Sequence, residues 1–226
     1  MNKKAQSFLK LHDIFSTHGY HLYLVGGTVR DILLNIELDD MDAVTDATPE
    51  EMKTFIKADF TFAKMGSVKY KVDDVKFDIT TLRKEKRYVD SRHPAQIKFV
   101  NSLKVDHKRR DFTINAMYMD NNFKLIDFEN GLEDLNNRVI RMVGNPYKRL
   151  KEDPLRILRA IRFMIIYDLK MDEKLEKALI KTKKYLDNIN IEKIKMEIKK
   201  MKGIKKEKIQ EIFNKYSIQY SLDVLE

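Results

Sequence analysis

Residues 23–46 read YLVGGTVRDILLNIELDDMDAVTD. An apolar run ends in two glycines, a helical pattern follows, and three acids then fall within four positions, at Asp39, Asp40 and Asp42. This order predicts a strand, a tight turn and a helix, followed by a second strand that carries carboxylates. Because carboxylates this close repel one another, the arrangement calls for a cation or another stabilising partner.

Asp40 and Asp42 form a D-x-D pattern. Alternate residues of an extended strand share a face, so both carboxylates would project from one side while Met41 faces the core. Such a pair suits a hard divalent cation such as Mg²⁺, which keeps coordination positions for substrate phosphates. A surface turn is the alternative. An EF-hand is excluded because Val44 and Thr45 occupy positions that need an oxygen ligand and a glycine.

A glycine turn and a third carboxylate strengthen the metal interpretation. Gly26 and Gly27 precede a helix whose first N–H groups are free, and Arg30 lies one turn into it, which suits a triphosphate. In the strand-like run KFDITTLR, Asp78 would face away from the core beside the D-x-D pair. Three carboxylates around two metal ions would support phosphoryl transfer. A solvent-facing strand residue is the alternative for Asp78.

The composition of the whole chain limits its class. Its 226 residues carry a net charge of +9 with a pI of about 9.4, which favours a polyanionic partner such as RNA. Residues 181–210 hold eleven lysines against four acids, and the alternative is a solvated lysine-rich face. There is no cysteine, so disulfides and thiolate metal sites are excluded. Without a leader or an apolar run of about 20 residues, we expect a cytoplasmic protein with no membrane partner.

Hydrophobic patterning predicts an α+β fold in two parts. Beyond residue 150 the apolar spacing becomes helical, and Ile191, Ile194, Ile198 and Met201 form one stripe. We therefore expect an α+β head over residues 1–145 and an all-helical neck over 146–226. The runs that read as strands are 21–25, 67–72, 74–80 and 97–100.

Five motifs together resemble, in the same order, those of the class II tRNA nucleotidyltransferases, which are the CCA-adding enzymes and their poly(A) polymerase relatives. The motifs are GGTVRD (26–31), DMDAVTDATPEE (40–51), RRDFTINAM (109–117), DFENGLEDL (127–135) and EDPLRILRAIRF (152–163). The resemblance implies a polymerase beta-like nucleotidyltransferase head with a mixed sheet, and template-free addition of C, C and A to the 3′ end of tRNA. It also implies CTP and ATP as substrates and Mg²⁺ as the metal.

Matching motif positions carry roles over to this chain. Asp40 and Asp42 resemble the metal ligands, and Asp78 resembles the third, assisting carboxylate. Gly27 and Arg30 resemble contacts to the triphosphate. Arg110 resembles a nucleotide contact, with Asp111 and Asn115 as further candidates for the ribose.

The EDPLR motif resembles the base-reading element of the family, through Asp153 and Arg156. Spaced i and i+3 near a helix start, the two side chains are neighbours and offer an acceptor and several donors to an amino-bearing base such as cytosine or adenine. A structural ion pair is the alternative. Arg159 and Arg162 are similar to contacts for nucleotide or phosphate.

The resemblance leaves the specific activity open. Residues 81–100 resemble the family's flexible loop, which favours complete CCA addition or A addition. Specialists for A or CC, a poly(A) polymerase and a non-catalytic RNA-binding module remain alternatives. The family usually continues through further helical domains, so we expect a short form in which the lysine-rich stretch 181–210 compensates electrostatically. The oligomeric state stays open.

Overall fold

The computed structural model describes residues 3–88 and 94–225, which form two compact units. The first unit comprises Met1–Lys86 and Gln96–Leu132, and the second comprises Arg87–Ala95 and Glu133–Glu226. The boundary between the compact units, at 132 and 133, therefore precedes the predicted domain boundary at 145 and 146. The predicted boundary stays a proposal about where the catalytic domain ends. In the part of the chain that the structure describes, no helix is long and apolar enough to cross a membrane.

The first part of the chain alternates helices and strands. Its helices are α1 (Lys3–Thr17), α2 (Gly27–Leu33), α3 (Pro49–Met52), α4 (Leu103–Asp106) and α5 (Gly131–Asn136). Its strands are β1 (Leu22–Val25), β2 (Met41–Thr45), β3 (Ser67–Val72), β4 (Val75–Thr81), β5 (Arg83–Tyr88), β6 (Pro94–Phe99), β7 (Tyr118–Met119) and β8 (Leu125–Ile126). The predicted α+β class is therefore confirmed.

A six-stranded mixed sheet organises this unit, in the order β3-β4-β2-β1-β7-β8. Strands β2 and β4 run parallel, whereas β1–β2, β1–β7, β3–β4 and β7–β8 are antiparallel. The predicted mixed sheet is confirmed. The apolar positions of its strands face inward, as the alternation in the sequence requires.

The register between β2 and β4 places equivalent positions side by side. Met41 lies opposite Phe77, and both side chains are buried, as predicted from their alternation with the acids. Asp42 lies opposite Asp78 on the other face. Asp40 precedes the strand, in a bend, so the strand itself carries only the second acid of the D-x-D pattern.

The segment 81–100 differs from the expected loop. Residues 83–88 and 94–99 form β5 and β6, which pair with each other as a separate two-stranded sheet. The predicted strand at 97–100 is confirmed over residues 97–99. The strand at 83–88 was not predicted, because its charged run RKEKR carries no apolar alternation. The middle of the predicted loop, 89–93, lies outside the described residues.

The second unit is mostly helical, but the predicted all-helical neck is interrupted by a two-residue strand at Lys170–Met171, which pairs with Val139–Ile140. Its elements are β9 (Val139–Ile140), α6 (Pro146–Glu152), α7 (Leu155–Ile166), β10 (Lys170–Met171), α8 (Glu173–Thr182), α9 (Ile191–Lys199) and α10 (Lys206–Lys215). Of the predicted apolar stripe, Ile194, Ile198 and Met201 are buried, but Ile191 is 49% exposed. Ile191 begins α9 directly after its Asn190 cap, where the helix end turns it to solvent.

Gly131 marks a close approach between two backbone segments. A Cβ atom at this position would lie 2.3 Å from the carbonyl oxygen of Thr113 and 3.0 Å from Cγ of Met117. The first contact is to backbone, which cannot rotate away, so only glycine fits at the start of α5.

Replacing Gly131 with alanine is therefore expected to lower the free energy of unfolding by about 2 kcal/mol or more, because the backbone must move to relieve the overlap. Urea unfolding followed by circular dichroism measures this change. Asn136→Ala, at an exposed position of the same helix, is the control and should change stability by less than about 0.5 kcal/mol. Equal stability of Gly131→Ala and the wild type would contradict the close approach.

Candidate functional site

The glycine turn between β1 and α2 brings distant side chains together. Gly26 has a φ of 63°, and a Cβ there would lie 3.3 Å from Nη1 of Arg110. A Cβ on Gly27 would lie 3.4 Å from Nη2 of Arg30 and 3.6 Å from Oδ2 of Asp42. The bare glycines thus leave room for two guanidinium groups and a carboxylate around one turn.

Asp42 and Asp78 are the carboxylates that the sheet places side by side. The pair is fixed by the parallel register of β2 and β4, whose backbones lie about 4.8 Å apart in the hydrogen-bonding direction. The backbone N–H of Asp42 donates to Oγ1 of Thr28 at 2.7 Å, which fastens β2 to α2. Asp78 lies 3.7 Å from Nζ of Lys69, so its charge is partly balanced.

The pKa of Asp42 is raised above its usual value, first because surrounding protein atoms displace water and then because Asp78 is negative. Arg110 and Arg30 act in the opposite direction and do not cancel these effects. The side chain still touches solvent, so it lies at an accessible and partly desolvated position. Two adjacent carboxylates whose negative charge is only partly balanced by nearby cations fit a hard divalent cation.

The third predicted member of this group, Asp40, is exposed in the bend before β2. Within residues 3–88 and 94–225, no three His, Cys, Asp or Glu side chains are grouped closely enough to hold a metal ion together. The structure therefore places Asp42 and Asp78 as neighbours, and the participation of Asp40 stays a prediction.

Arg30 is more constrained than its predicted role suggests. Its side chain is buried, and Nε and Nη2 donate to the two carboxylate oxygens of Asp31 at 2.8 and 2.9 Å. Nη1 donates to Oδ1 of Asn115 at 2.6 Å, and Nδ2 of Asn115 donates to Oδ1 of Asp111 at 3.1 Å. Asp31 was not among the predicted site residues, although its position next to Arg30 in the sequence indicated a pair of opposite charges.

Arg110 forms an ion pair with a buried acid, Asp106, that was not predicted from the sequence. Nη2 of Arg110 donates to Oδ2 of Asp106 at 3.0 Å, and Nε lies 3.1 Å from the hydroxyl of Tyr118. Asp106 is fully buried. The available signal was spacing, since Asp106 precedes Arg109 and Arg110 by three and four positions.

In the second unit, the predicted neighbours Asp153 and Arg156 do meet. Nε of Arg156 lies 3.8 Å from Oδ2 of Asp153, and Nη1 donates to the backbone oxygen of Arg149 at 3.0 Å. Arg156 is buried, and Oδ1 of Asp153 accepts from the N–H of Leu155. The geometry is an ion pair with a constrained arginine, and base reading by this pair stays a prediction.

The guanidinium groups of Arg162 and Arg159 both lie over the ring of Phe163 in cation–π contacts. Their guanidinium carbons lie 4.2 and 5.4 Å from the ring centroid of Phe163. Nε of Arg162 donates to Oε1 of Glu197 at 2.7 Å. Burial by itself would raise the pKa of Glu197, but Arg162 and Lys200 outweigh it and the pKa is lowered. Sequence reasoning did not identify Glu197, which lies on α9.

A cavity of about 370 Å³ in the first unit is separate from these residues. It is lined by Lys84, Gln96, Lys98, Val100 and Val105. None of the predicted site residues contributes to this lining, so the carboxylates and the glycine turn define the candidate site without it.

A mixed sheet that presents adjacent carboxylates beside a glycine turn defines a nucleotidyltransferase head. The family model described as the Poly A polymerase head domain matches residues 22–141, and the chain belongs to this family. The predicted resemblance to the CCA-adding enzymes and their relatives is therefore confirmed.

Individual relatives agree with this assignment. The CCA-adding enzyme of Enterococcus faecalis is 43% identical over 187 residues, which are 82% of this chain and 46% of that protein. The structure of the Bacillus stearothermophilus CCA-adding enzyme in complex with CTP aligns with a TM-score of 0.87 at 32% identity, covering 97% of this chain and 54% of that one.

A second solved structure is a tRNA nucleotidyltransferase complexed with a primer tRNA and an incoming ATP analog. It aligns with a TM-score of 0.76 at 31% identity and covers 95% of this chain and 65% of that one. The chain thus spans about half the length of the curated relatives it matches. Nucleotidyltransferases of this family typically use a divalent metal.

Replacing Asp42 with asparagine should stabilise the protein at neutral pH in buffer that contains a chelator. A raised pKa in the folded state means that the charged carboxylate opposes folding above that pKa. The gain should shrink as the pH falls through the raised pKa of the folded state towards the unfolded value of about 4, and it should be absent below that pH, where the wild-type carboxyl is protonated in both states. Thermal melts from pH 3 to pH 7 measure it, with the exposed Asp13→Asn as control. A destabilised Asp42→Asn at pH 7 would contradict the unfavourable desolvation and repulsion of the charged Asp42 carboxylate.

Proposed function

We propose that this chain transfers CMP and AMP from CTP and ATP to the 3′ end of tRNA without a template, building or repairing the CCA terminus. The observation that carries the proposal is the adjacent pair Asp42 and Asp78 beside the Gly26-Gly27 turn and Arg110. Relatives named CCA-adding enzymes, and structures whose titles name CTP, an ATP analog and primer tRNA, support the choice of substrates.

Mg²⁺ is the metal we propose, with Asp40 and Asp42 as its ligands and Asp78 as the assisting carboxylate. When bound, it would neutralise the triphosphate and make the attacking hydroxyl more acidic. The donor chemistry fits, because carboxylate oxygens are the ligands that Mg²⁺ prefers.

The side chains of the chain itself would align the reaction. In it, the terminal ribose hydroxyl of the RNA attacks the α-phosphorus of the nucleotide, a new phosphodiester bond forms and pyrophosphate leaves. We assign Asp78 to the proton of the attacking hydroxyl, while Gly27 lets the triphosphate approach the backbone. Arg30 and Arg110 place positive charge next to the turn, where it would stabilise the charge that develops on the leaving group.

Base selection is assigned to Asp153 and Arg156. The carboxylate would accept a hydrogen bond from the exocyclic amino group of cytosine or adenine, and the guanidinium would donate to a ring nitrogen or carbonyl. Uracil carries a carbonyl where cytosine has its amino group, so it would face the carboxylate unfavourably. Arg159 and Arg162 are assigned to nucleotide or phosphate contacts.

Specialised A or CC addition and poly(A) synthesis are the nearest alternatives, and they use the same carboxylates. A non-catalytic RNA-binding module is the alternative from a different class. The adjacent Asp42 and Asp78 disfavour it, because two carboxylates side by side would weaken, rather than strengthen, binding to a polyanion. A protein that acts on tRNA would work in the cytoplasm, and we place this chain there as part of the proposal.

Incubation with tRNA that ends at the discriminator base, Mg²⁺ and single labelled nucleotides tests the activity. We expect stepwise incorporation of CMP and then AMP, loss of incorporation on adding a chelator, and a decrease of at least about 10³-fold for Asp42→Ala, since the cation loses a ligand. AMP alone would indicate an A-adding enzyme, and long A tails a polymerase. No incorporation by the folded wild type would refute the proposed activity.

The lysine-rich stretch 181–210 is proposed to bind the tRNA backbone. Reversing the exposed Lys199, Lys202, Lys205 and Lys208 to glutamate should reduce affinity for tRNA steeply at low salt and flatten its salt dependence, because fewer counterions are released. Filter binding from 50 to 200 mM salt measures both effects.

A matched variant controls for net charge. Lys53, Lys57, Lys64 and Lys124 are also exposed and lie in the first unit, away from the proposed surface in sequence. Reversing these four changes the net charge by the same amount. Equal losses in the two quadruple variants would show that only net charge matters, and no loss in the first would refute this surface.

A further inference from the structure

Asp106, at the end of α4, is a carboxylate with no exposed surface and several hydrogen bonds. Oδ1 accepts from the backbone N–H of Arg83 at 3.1 Å and from Nε of Arg109 at 2.8 Å. Oδ2 accepts from Nη2 of Arg110 at 3.0 Å and from the hydroxyl of Tyr118 at 2.9 Å. Its two oxygens thus bind different parts of the first unit.

These contacts keep the carboxylate charged in spite of its burial. Removal from water by itself would raise the pKa of Asp106, but the charges of Arg110 and Arg109 outweigh it and hold the pKa well below its usual range. A buried charge whose oxygens are all occupied has one favourable geometry, so the groups around it are held in fixed positions.

The Oδ2 side of Asp106 determines where Arg110 points. Nη2 and Nε of Arg110 are directed to Asp106 and the Tyr118 hydroxyl, and the guanidinium carbon lies 5.1 Å from the Tyr118 ring centroid. Because a guanidinium is planar and rigid, these contacts fix its remaining edge. That edge, with Nη1, lies against the Gly26 turn.

The Oδ1 side of Asp106 connects to the beginning of β5. The backbone N–H of Arg83 donates to Oδ1 of Asp106, and its side-chain Nη2 lies 2.8 Å from Oε1 of Glu85. Nη1 of Arg109 lies 3.6 Å from the same oxygen of Glu85. The side chain of Glu85 is 9% exposed. Arg109 therefore bridges two buried acids, one on α4 and one on β5.

We propose that Asp106 is a positioning residue that couples β5 to the nucleotide contact of Arg110. Its Oδ2 holds the guanidinium against the glycine turn, and its Oδ1, together with Glu85 and Arg109, ties that position to the strand. The inference rests on the proposed function of Arg110. A displacement of β5 would then change the affinity for the triphosphate without touching the carboxylates of the reaction.

Steady-state kinetics with CTP and ATP, together with thermal melts, test the coupling. Asp106→Asn keeps the size of the side chain but loses its charge, so Arg110 is no longer held, and we expect KM for both nucleotides to rise about tenfold or more. kcat should change less, and Asp106→Glu should recover part of the loss. Glu85→Gln should raise KM in the same direction by about threefold, through Arg109 and Arg83.

Asp134→Asn is the matched control, since it removes the charge of another buried acid, paired with Arg141, in the second unit. It should lower the melting temperature without raising KM. If Asp106→Asn does not fold, the KM values and melting temperatures of three other variants are compared with those of Asp134→Asn instead. These variants are Asp106→Glu, Tyr118→Phe and Glu85→Gln.

The outcomes separate this inference from the proposed function. If Arg110→Lys leaves KM unchanged, the nucleotide contact itself is wrong. If Arg110→Lys raises KM but the folded Asp106 variants only lose stability, as Asp134→Asn does, the positioning role is overturned. A rise in KM for Asp106→Asn with no change for Glu85→Gln would overturn the coupling to β5.

Discussion

The placement of Asp42 and Asp78 at paired positions of β2 and β4 is the constraint on which the candidate site depends. Parallel pairing of β2 with β4 forces two like charges into adjacent positions, and the pKa of Asp42 is raised first by removal from water and then by the charge of Asp78. The apolar residues on the opposite face, such as Met41 and Phe77, maintain this register. A slip by one residue would bury the acids and expose the core, so the same alternation fixes both fold and site.

The positive groups around the site each lie beside a partner of opposite charge, because the principal arginines form ion pairs with carboxylates. Arg30 pairs with Asp31, and Arg110 with Asp106. Such pairs add little net charge, but they hold the guanidinium groups in place before any ligand arrives, which lowers the entropy lost on binding. The net charge of +9 must then come from other residues, and exposed lysines of 181–210 contribute to it. Geometry and long-range attraction are thus supplied by different residues.

The sequence predicted what depends on local alternation and missed what depends on distant partners. The inward orientation of Met41 and Phe77 followed from period-two patterning, and the neighbouring positions of Asp153 and Arg156 followed from helical spacing. The pairing of β5 was missed, because its charged residues carry no apolar alternation. Asp106 was missed for a related reason. Its bonds to Arg83 and Tyr118 span 23 and 12 residues, and only the folded chain brings them together.

Stability alone is a poor explanation for the buried cluster around Asp106. Burying charged groups costs solvation energy, and well-packed apolar side chains often stabilise a core equally well or better. The cluster instead fixes the orientation of its arginine side chains, since carboxylate oxygens and planar guanidinium groups bind one another in few orientations. The direction that results places Nη1 of Arg110 at the turn that also approaches Asp42. A core built from apolar residues could hold β5 against α4, but it could not at the same time orient a cation toward the site.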